Sequence, residues 1–179
     1  MSCKTDVHRI RAIVLDVDGV MTDDRIGYRG DSEEEIKFFC VKDGTGVLLA
    51  HAAGLKVAVI TGRPCAATEM RCRNLKIDAV MNGRGGKLHV LSEACAVMGV
   101  PPEECLYVGD DLIDVPVMRV CGLAATPADA TPYAKAEADW VLERNGGFGA
   151  VREAVERLLR EQGCLETAIE KGFQLYWGK

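Results

Sequence analysis

The sequence predicts an α/β fold: a doubly wound (Rossmann-like) parallel sheet with helices on both faces and a β-hairpin inserted after the first strand. Short apolar runs rich in β-branched residues recur along the chain, as expected for strands buried on both faces of a sheet. The segments between them carry apolar residues at helical spacing, and several end at glycine. Strands that alternate with helices in this way form a parallel sheet covered by helices on both sides.

The predicted elements alternate from residue 12 to residue 162. Strands are predicted at residues 12–18, 56–60, 78–81, 105–108, 123–125 and 140–142. Helices are predicted at about residues 42–54, 66–75, 87–99 and 149–162, with one ending near residue 120 and one starting at Pro101-Pro102. Asp43 is the expected N-cap of the first helix, because a carboxylate at that position accepts a hydrogen bond from a free first-turn amide.

A hairpin is predicted at about residues 20–41, where two short apolar runs flank the polar turn 29–32. It is too short to form a separate domain. The whole chain, 1–179, is therefore expected to be a single domain that carries this insertion and a C-terminal tail at about 163–179. The tail contains Phe173, Tyr176 and Trp177, and it is expected either to be flexible or to dock on a neighbouring subunit.

Composition narrows the class of protein. Apolar residues make up 48% of the 179 residues and the net charge is −5, which fits a globular domain and disfavours a nucleic-acid or membrane-surface protein. The sequence has neither an 18-residue apolar run nor the apolar core of a signal peptide, so we expect a cytoplasmic protein. The eight cysteines form no Cys-x-x-Cys pair and are expected to be reduced thiols, most of them in the core.

Polar side chains follow the predicted strands at their carboxyl ends, which meet at one edge of a parallel sheet. Asp16 and Asp18 end the first strand, and Thr61 ends the second. A further acidic group, Asp110, Asp111 and Asp114, follows the fourth strand, and Lys87 begins a helix on the same edge. Taken singly, the aspartate pair could be a solvated acidic turn, Thr61 a strand-end cap and Lys87 a solvated lysine. Together they favour one site.

Such a cluster of carboxylates is costly unless a cation neutralises it, and Mg²⁺ prefers oxygen ligands. Asp16 and Asp110 are the expected metal ligands, while Lys87 and Thr61 suit a phosphoryl group. The chemistry predicted from this set is phosphoryl transfer through an aspartyl-phosphate on Asp16. Asp18 would protonate the leaving oxygen and later activate water.

These residues resemble the four motifs of the haloacid dehalogenase superfamily of phosphatases, in the capless form. The matching stretches are Asp16–Val20, Thr61–Arg63, Lys87 and Gly109–Asp114. A closer resemblance, over about residues 10–165, is to the family of 3-deoxy-D-manno-octulosonate 8-phosphate (KDO 8-phosphate) phosphatases. It is carried by Phe38–Gly46, Ile60–Arg63 and Gly146–Glu153.

The resemblance implies a role for each matching residue. Asp16 would be the nucleophile and, with Asp110 and the carbonyl of Asp18, a magnesium ligand. Asp111 and Asp114 would hold water around the metal and orient Lys87. Phosphate and substrate would be bound by Thr61, Gly62, Arg63 and Lys87, and Lys42 would reach a neighbouring site. The resemblance further implies a homotetramer built through the hairpin, with Ile26, Tyr28, Ile36 and Phe38 as contacts, and a role in lipopolysaccharide precursor synthesis.

Two other functions remain open on the sequence. A nonulosonate (KDN or N-acylneuraminate) 9-phosphate phosphatase would share the chemistry, but Arg63 favours the octulosonate, since the nine-carbon enzymes tend to carry an acidic residue there. A non-catalytic phospho-receiver domain would also use aspartates, a threonine and a lysine around Mg²⁺, but it has no use for Asp18. Phe148 departs from the family pattern, which often has a polar residue at that position.

Overall fold

The computed structural model of the protein describes residues 6–32 and 34–177, and it has a parallel sheet of six strands at its centre. Two further strands, β2 (Gly27–Tyr28) and β3 (Glu35–Ile36), form a separate antiparallel hairpin. The order of the strands across the sheet is β5-β4-β1-β6-β7-β8, so the chain winds outward from β1 in both directions. The α/β prediction is confirmed. The sheet strands are β1 (Ala12–Leu15), β4 (Lys56–Thr61), β5 (Ala79–Asn82), β6 (Cys105–Val108), β7 (Leu123–Thr126) and β8 (Trp140–Val141).

Helices cover both faces of the sheet, and successive residues of β1 point into two different cores. Ile13 and Leu15 pack with residues of α1, α2, α6 and α7, whereas Val14 packs with residues of α3, α4 and α5. The helices are α1 (Val41–Ala52), α2 (Ala66–Leu75), α3 (Lys87–Met98), α4 (Val115–Met118), α5 (Pro132–Glu137), α6 (Ala150–Glu161) and α7 (Leu165–Trp177). Burial on both sides explains why the strands are apolar at nearly every position.

Several predicted boundaries differ from the structure, and two of these differences affect aspartates singled out in the sequence. The first strand ends at Leu15 and not at residue 18, so Asp16 and Asp18 lie in the turn that follows it. The first helix begins at Val41 with Cys40 as its N-cap, so Asp43 lies inside the first turn. The Asp43 carboxylate is buried and accepts a hydrogen bond from the backbone amide of Arg152 at 2.8 Å, which ties the start of α1 to the start of α6.

The predicted tail is a helix, α7, which packs on its own domain. Ala168 is buried, and Ile169 packs against the core beside α1 and α6. Gly172 lies so close to Leu49 that an added Cβ would be 3.4 Å from its side chain. The tail therefore differs from the flexible end that was one of its two expected forms, and docking on a neighbouring subunit, the other, stays a prediction. The side chains of Tyr176 and Trp177 lie outside the described residues.

The hairpin presents apolar side chains to the surface. Tyr28 is 58% exposed and Phe38 is 77% exposed, and Ile26 and Ile36 are also exposed. Within residues 6–32 and 34–177, the helices are all too short or too polar to cross a bilayer.

Candidate active site

Most of the predicted site residues meet at the carboxyl edge of the sheet, where they line a cleft of about 170 Å³. Asp16 follows β1, Asp110 follows β6 after one glycine, and Lys87 is the first residue of α3. The described residues that line the cleft are Asp16, Asp18, Asp24, Gly62, Arg63, Lys87, Asp110, Asp111 and Ile113. The edge therefore gathers one lysine, one arginine and five carboxylates in a small volume.

Lys87 is the buried cation of this cluster. Its side chain is 3% exposed, and its Nζ lies 2.8 Å from Oδ1 of Asp16 and 2.7 Å from Oδ1 of Asp114. Burial alone would lower the pKa of Lys87, but the charges of Asp16 and Asp114 outweigh it and raise that pKa. Lys87 is therefore a fixed positive charge held beside Asp16.

Asp114 holds its neighbours in the cluster in place by accepting four hydrogen bonds. Its Oδ1 accepts hydrogen bonds from Lys87 and from the hydroxyl of Tyr107, the latter at 2.5 Å. Its Oδ2 accepts from the backbone amides of Asp110 at 3.0 Å and Asp111 at 3.2 Å. Because both oxygens already accept two hydrogen bonds, Asp114 positions Lys87 and the turn at Asp110 and has no lone pair left for a metal. The role of Tyr107 was not predicted from the sequence, although a tyrosine in a buried strand needs a hydrogen-bond partner for its hydroxyl.

Asp16 and Asp110 remain as the carboxylates that can hold a metal, although Oδ1 of Asp16 also pairs with Lys87. One oxygen from each of Asp16, Asp110 and Asp114 lies within 4.8 Å of the others. Burial and the charge of Asp114 raise the pKa of Asp16 to about 7, and burial and the charge of Asp16 raise the pKa of Asp110 to about 8. A buried and a half-buried carboxylate that resist ionisation in this way fit a hard divalent cation, which takes oxygen ligands and relieves their repulsion.

Asp18 lies at the mouth of the cleft and is paired with a residue of the hairpin. Its side chain is 19% exposed, and its Oδ1 lies 2.5 Å from Nζ of Lys37, whose side chain is fully buried. Sequence reasoning missed Lys37; a lysine between the apolar residues Ile36 and Phe38 was the available signal. Asp24, also missed, lines the cleft with φ of +62°, a conformation that few residues other than glycine adopt.

Gly62 lines the cleft directly after Thr61, the last residue of β4. The Thr61 side chain is buried, and its hydroxyl accepts a hydrogen bond from the backbone amide of Arg63 at 3.0 Å. That bond closes the turn after β4 and leaves the hydroxyl proton available for donation. A Cβ built at Gly62 would meet no atom of the described residues within 4 Å, so the backbone there is open to a ligand.

The two predicted substrate-binding cations lie in different places. Arg63 is 45% exposed at the rim of the cleft, where its guanidinium donates to Glu35 at 2.7 Å and to the Tyr28 hydroxyl at 3.3 Å. Lys42 does not line the cleft of its own chain. It is exposed on α1 and faces a separate cavity with Phe148 and Arg152.

Known proteins match nearly the whole chain. Residues 76–155 match the family described as haloacid dehalogenase-like hydrolase. The 3-deoxy-D-manno-octulosonate 8-phosphate phosphatase KdsC of Salmonella typhi is 44% identical over 164 residues, which cover 92% of this chain and 87% of that protein. The KdsC protein of Escherichia coli (strain K12) is 45% identical over 159 residues, 89% of this chain and 84% of that protein.

Solved structures agree with these relatives. The 3-deoxy-D-manno-octulosonate 8-phosphate phosphatase of Yersinia pestis has a TM-score of 0.84 and 41% identity, covering 89% of this chain and 86% of that one. The enzyme of Moraxella catarrhalis, in complex with magnesium ion, phosphate ion and KDO, has a TM-score of 0.86 and 32% identity, covering 92% of this chain and 94% of that one.

The parallel sheet and the acidic cleft at its carboxyl edge are those of a haloacid dehalogenase-like hydrolase. Within that class, the identity shared with the KdsC proteins over most of both chains shows that this chain belongs to the family of 3-deoxy-D-manno-octulosonate 8-phosphate phosphatases. The resemblance drawn from the sequence motifs is thereby confirmed.

Proposed function

We propose that this protein is a magnesium-dependent phosphatase that hydrolyses KDO 8-phosphate to KDO and inorganic phosphate through an aspartyl-phosphate. One observation carries the proposal most directly. The Lys87 ammonium is clamped between Asp16 and Asp114, and Asp110 lies beside them, so that a nucleophile, a fixed cation and a free metal-binding carboxylate share one cleft. The relative from Moraxella catarrhalis, whose structure holds magnesium, phosphate and KDO, supports the interpretation of this cleft as the site of phosphate hydrolysis.

In the first step, Asp16 attacks phosphorus. A bond forms between a carboxylate oxygen of Asp16 and phosphorus, and the bond from phosphorus to the sugar oxygen breaks. Asp18, at the mouth of the cleft, gives its proton to the departing sugar oxygen. Lys87 neutralises charge on the transferred group, which is the main task in phosphoryl transfer.

In the second step, Asp18 takes a proton from water as the water attacks phosphorus and releases Asp16. The residue thus returns to the protonated form in which it began. A magnesium ion held by Asp16 and Asp110 would supply further positive charge to the phosphoryl oxygens. Asp114 takes no part in bond making, but its hydrogen bonds hold Lys87 and the turn at Asp110 in position.

Binding of the substrate would be shared between the wall and the rim of the cleft. Thr61 and Gly62, with the Thr61 hydroxyl and open backbone, would hold the phosphoryl group. Arg63 is the cation best placed to meet the carboxylate of the sugar acid, although Glu35 already holds it from the hairpin side. A guanidinium has five donors, so it can pair with both carboxylates at once.

We further propose that the chain forms a homotetramer through its hairpin, with Lys42 reaching a neighbouring cleft. Large apolar side chains on and beside the hairpin support this assembly: Phe38 is 77% exposed and Val41 is 80% exposed. We assign the reaction to the cytoplasm and to the synthesis of a lipopolysaccharide precursor. The similarity to the KdsC proteins supports this assignment.

A panel of phosphate esters tests the substrate. Release of phosphate is measured with magnesium from KDO 8-phosphate, from two nonulosonate 9-phosphates and from p-nitrophenyl phosphate. We expect the highest kcat/KM for KDO 8-phosphate. In Arg63→Gln, we expect this value to fall by about 10–100-fold, since one charge-assisted contact to a carboxylate is worth about 1.5–3 kcal/mol. The value for p-nitrophenyl phosphate should be nearly unchanged. Preference for a nine-carbon substrate, or equal losses on all esters, would contradict the assignment.

A further inference from the structure

A fully buried lysine joins the hairpin to the cleft. Lys37 directly follows β3, and its side chain is 0% exposed, although its neighbours Ile36 and Phe38 point outward and are exposed. Lysine is almost never fully buried unless its ammonium is paired. Here the ammonium lies 2.5 Å from Oδ1 of Asp18, the residue proposed to donate the proton in catalysis.

Behind Lys37 lies a second carboxylate. Oε2 of Glu35 is 3.6 Å from the Lys37 ammonium, and it has no hydrogen-bond partner among the described residues. The other oxygen of Glu35 pairs with Arg63 at 2.7 Å. Four charges of alternating sign therefore form a chain of contacts from the proposed acid to the rim of the cleft: Asp18, Lys37, Glu35 and Arg63.

The contact with Lys37 sets the direction of the Asp18 side chain. The strand ends at Leu15, so strand geometry does not orient the Asp18 side chain, which lies in a turn. No other described side chain is hydrogen-bonded to Asp18, whereas Asp24 and Asp111 nearby carry like charge. The contact with Lys37 is thus the interaction that fixes where the carboxyl points.

We propose that Lys37 is a positioning residue for catalysis, which fixes the Asp18 carboxyl toward the leaving oxygen, and that Glu35 connects it to the substrate-binding Arg63. The proposal rests on the phosphatase function given above. A proton donor is effective only when it lies within hydrogen-bond reach of the atom it serves, so loss of Lys37 should impair the step that needs the proton.

The test compares two esters in the variant Lys37→Met, which removes the ammonium and keeps much of the side-chain length. The first ester is the sugar-acid phosphate that the wild type hydrolyses best. It is an alkyl phosphate, so its leaving oxygen needs a proton. p-Nitrophenyl phosphate does not, because nitrophenolate is a stable anion. Single-turnover release of the sugar and of nitrophenolate, with enzyme in excess, isolates the first step. We expect the rate of sugar release to fall by about 10–100-fold and the rate of nitrophenolate release by less than about 3-fold. The loss for the sugar is smaller than the full contribution of acid catalysis, about 10²–10⁴-fold, because Asp18 is still present.

Lys56→Met is the matched control, because Lys56 also forms a lysine–aspartate pair, with Asp78 at 2.8 Å, but lies away from the cleft. Both esters should react at the wild-type rate in that variant. Lys37→Arg should recover part of the sugar rate. Glu35→Gln leaves Lys37 in the chain, and it should show the same selective pattern with a smaller loss, even if Lys37→Met folds poorly.

Equal losses on both esters in Lys37→Met and in Glu35→Gln would overturn this inference and leave the phosphatase function standing. An unchanged sugar rate in the two variants would also overturn it. Failure of the wild type to turn over either ester would overturn the proposed function, and the role of Lys37 with it.

Discussion

Gly19 lies directly against Asp110: a Cβ atom built on Gly19 would be 2.1 Å from Oδ2 of that aspartate. Gly19 also has φ of +79°, in the left-handed region that favours glycine. The turn that carries Asp16 and Asp18 can therefore approach the end of β6 only because residue 19 has no side chain. This contact brings the carboxylates of two distant segments to one cleft.

Replacement of this glycine tests the contact. In Gly19→Ala, we expect Asp110 to be displaced, since a carbon cannot lie 2.1 Å from a carboxylate oxygen. Magnesium affinity, measured by isothermal titration calorimetry, should fall by at least about 10-fold, which corresponds to 1.4 kcal/mol. Phosphate release should fall with it.

Gly54→Ala is the matched control. Gly54 has φ of +86°, but within residues 6–32 and 34–177 no atom lies within 4 Å of an added Cβ. It should lower the free energy of unfolding by about 1–2 kcal/mol through backbone strain and leave magnesium affinity unchanged. Wild-type magnesium affinity in Gly19→Ala would contradict the role given to the contact.

Asp18→Asn separates metal binding from proton transfer. The amide has nearly the shape of the carboxyl, but it cannot give or take the proton. Turnover of KDO 8-phosphate should therefore fall by about 10²–10⁴-fold. Magnesium should still raise the melting temperature as it does in the wild type, because Asp16 and Asp110 are intact. Turnover within a few fold of the wild type would remove Asp18 from catalysis.

The raised pKa values of the Asp16 and Asp110 carboxyls predict how stability depends on pH. The pKa is about 7 for Asp16 and about 8 for Asp110 in the folded protein, against a usual value of 3.8. Between these limits the folded state binds more protons than the unfolded state, so without metal the free energy of unfolding falls as pH rises from about 4 to about 8. Below pH 4 both states are protonated, and this contribution is fully present.

Magnesium should reverse that trend. The ion binds the ionised carboxylates, so its effect on the melting temperature should be small at pH 5.5 and large at pH 8.5. In a chain of this size, each 1 kcal/mol corresponds to about 2–4 °C, which differential scanning fluorimetry resolves. In Asp110→Asn, most of the pH dependence of the magnesium effect should be lost. A magnesium effect that is larger at pH 5.5 would contradict the assignment of these ligands.

The exposed hairpin predicts an oligomer that one charge can disrupt. Phe38→Glu places a carboxylate where we propose that neighbouring subunits meet, so we expect multi-angle light scattering to show a tetramer in the wild type and smaller species in the variant. Val97→Glu is the control, because Val97 is 63% exposed on α3, away from the hairpin. A monomeric wild type, or an intact tetramer in Phe38→Glu, would contradict the assembly.

The sequence was most informative about the sheet and about the polar residues that follow its strands. The doubly wound sheet was predictable because β1, β4 and β6 are apolar at nearly every position, and the acidic cluster because the carboxyl ends of parallel strands share an edge. Asp16, Lys87 and Asp110 could thus be assigned to one cleft before their distances were known.

Other parts of the site depend on contacts that local patterns do not encode. Lys37 and Glu35 reach the cleft only because the hairpin folds back on the turn that holds Asp18, a contact between segments 19 residues apart. Tyr107 looked like any other residue of an apolar strand. The tail was not predicted as α7, since its stability comes from packing on α1 and α6.

Trapping of the intermediate at Asp16 tests the central claim most directly. The enzyme is mixed with magnesium and substrate, quenched within milliseconds, reduced with borohydride and digested for mass spectrometry, because reduction of an aspartyl-phosphate leaves homoserine. We predict homoserine at position 16, dependent on magnesium and on substrate, and no phosphate release by Asp16→Asn. Full turnover by Asp16→Asn, with an unmodified residue 16 in the wild type, would contradict the account.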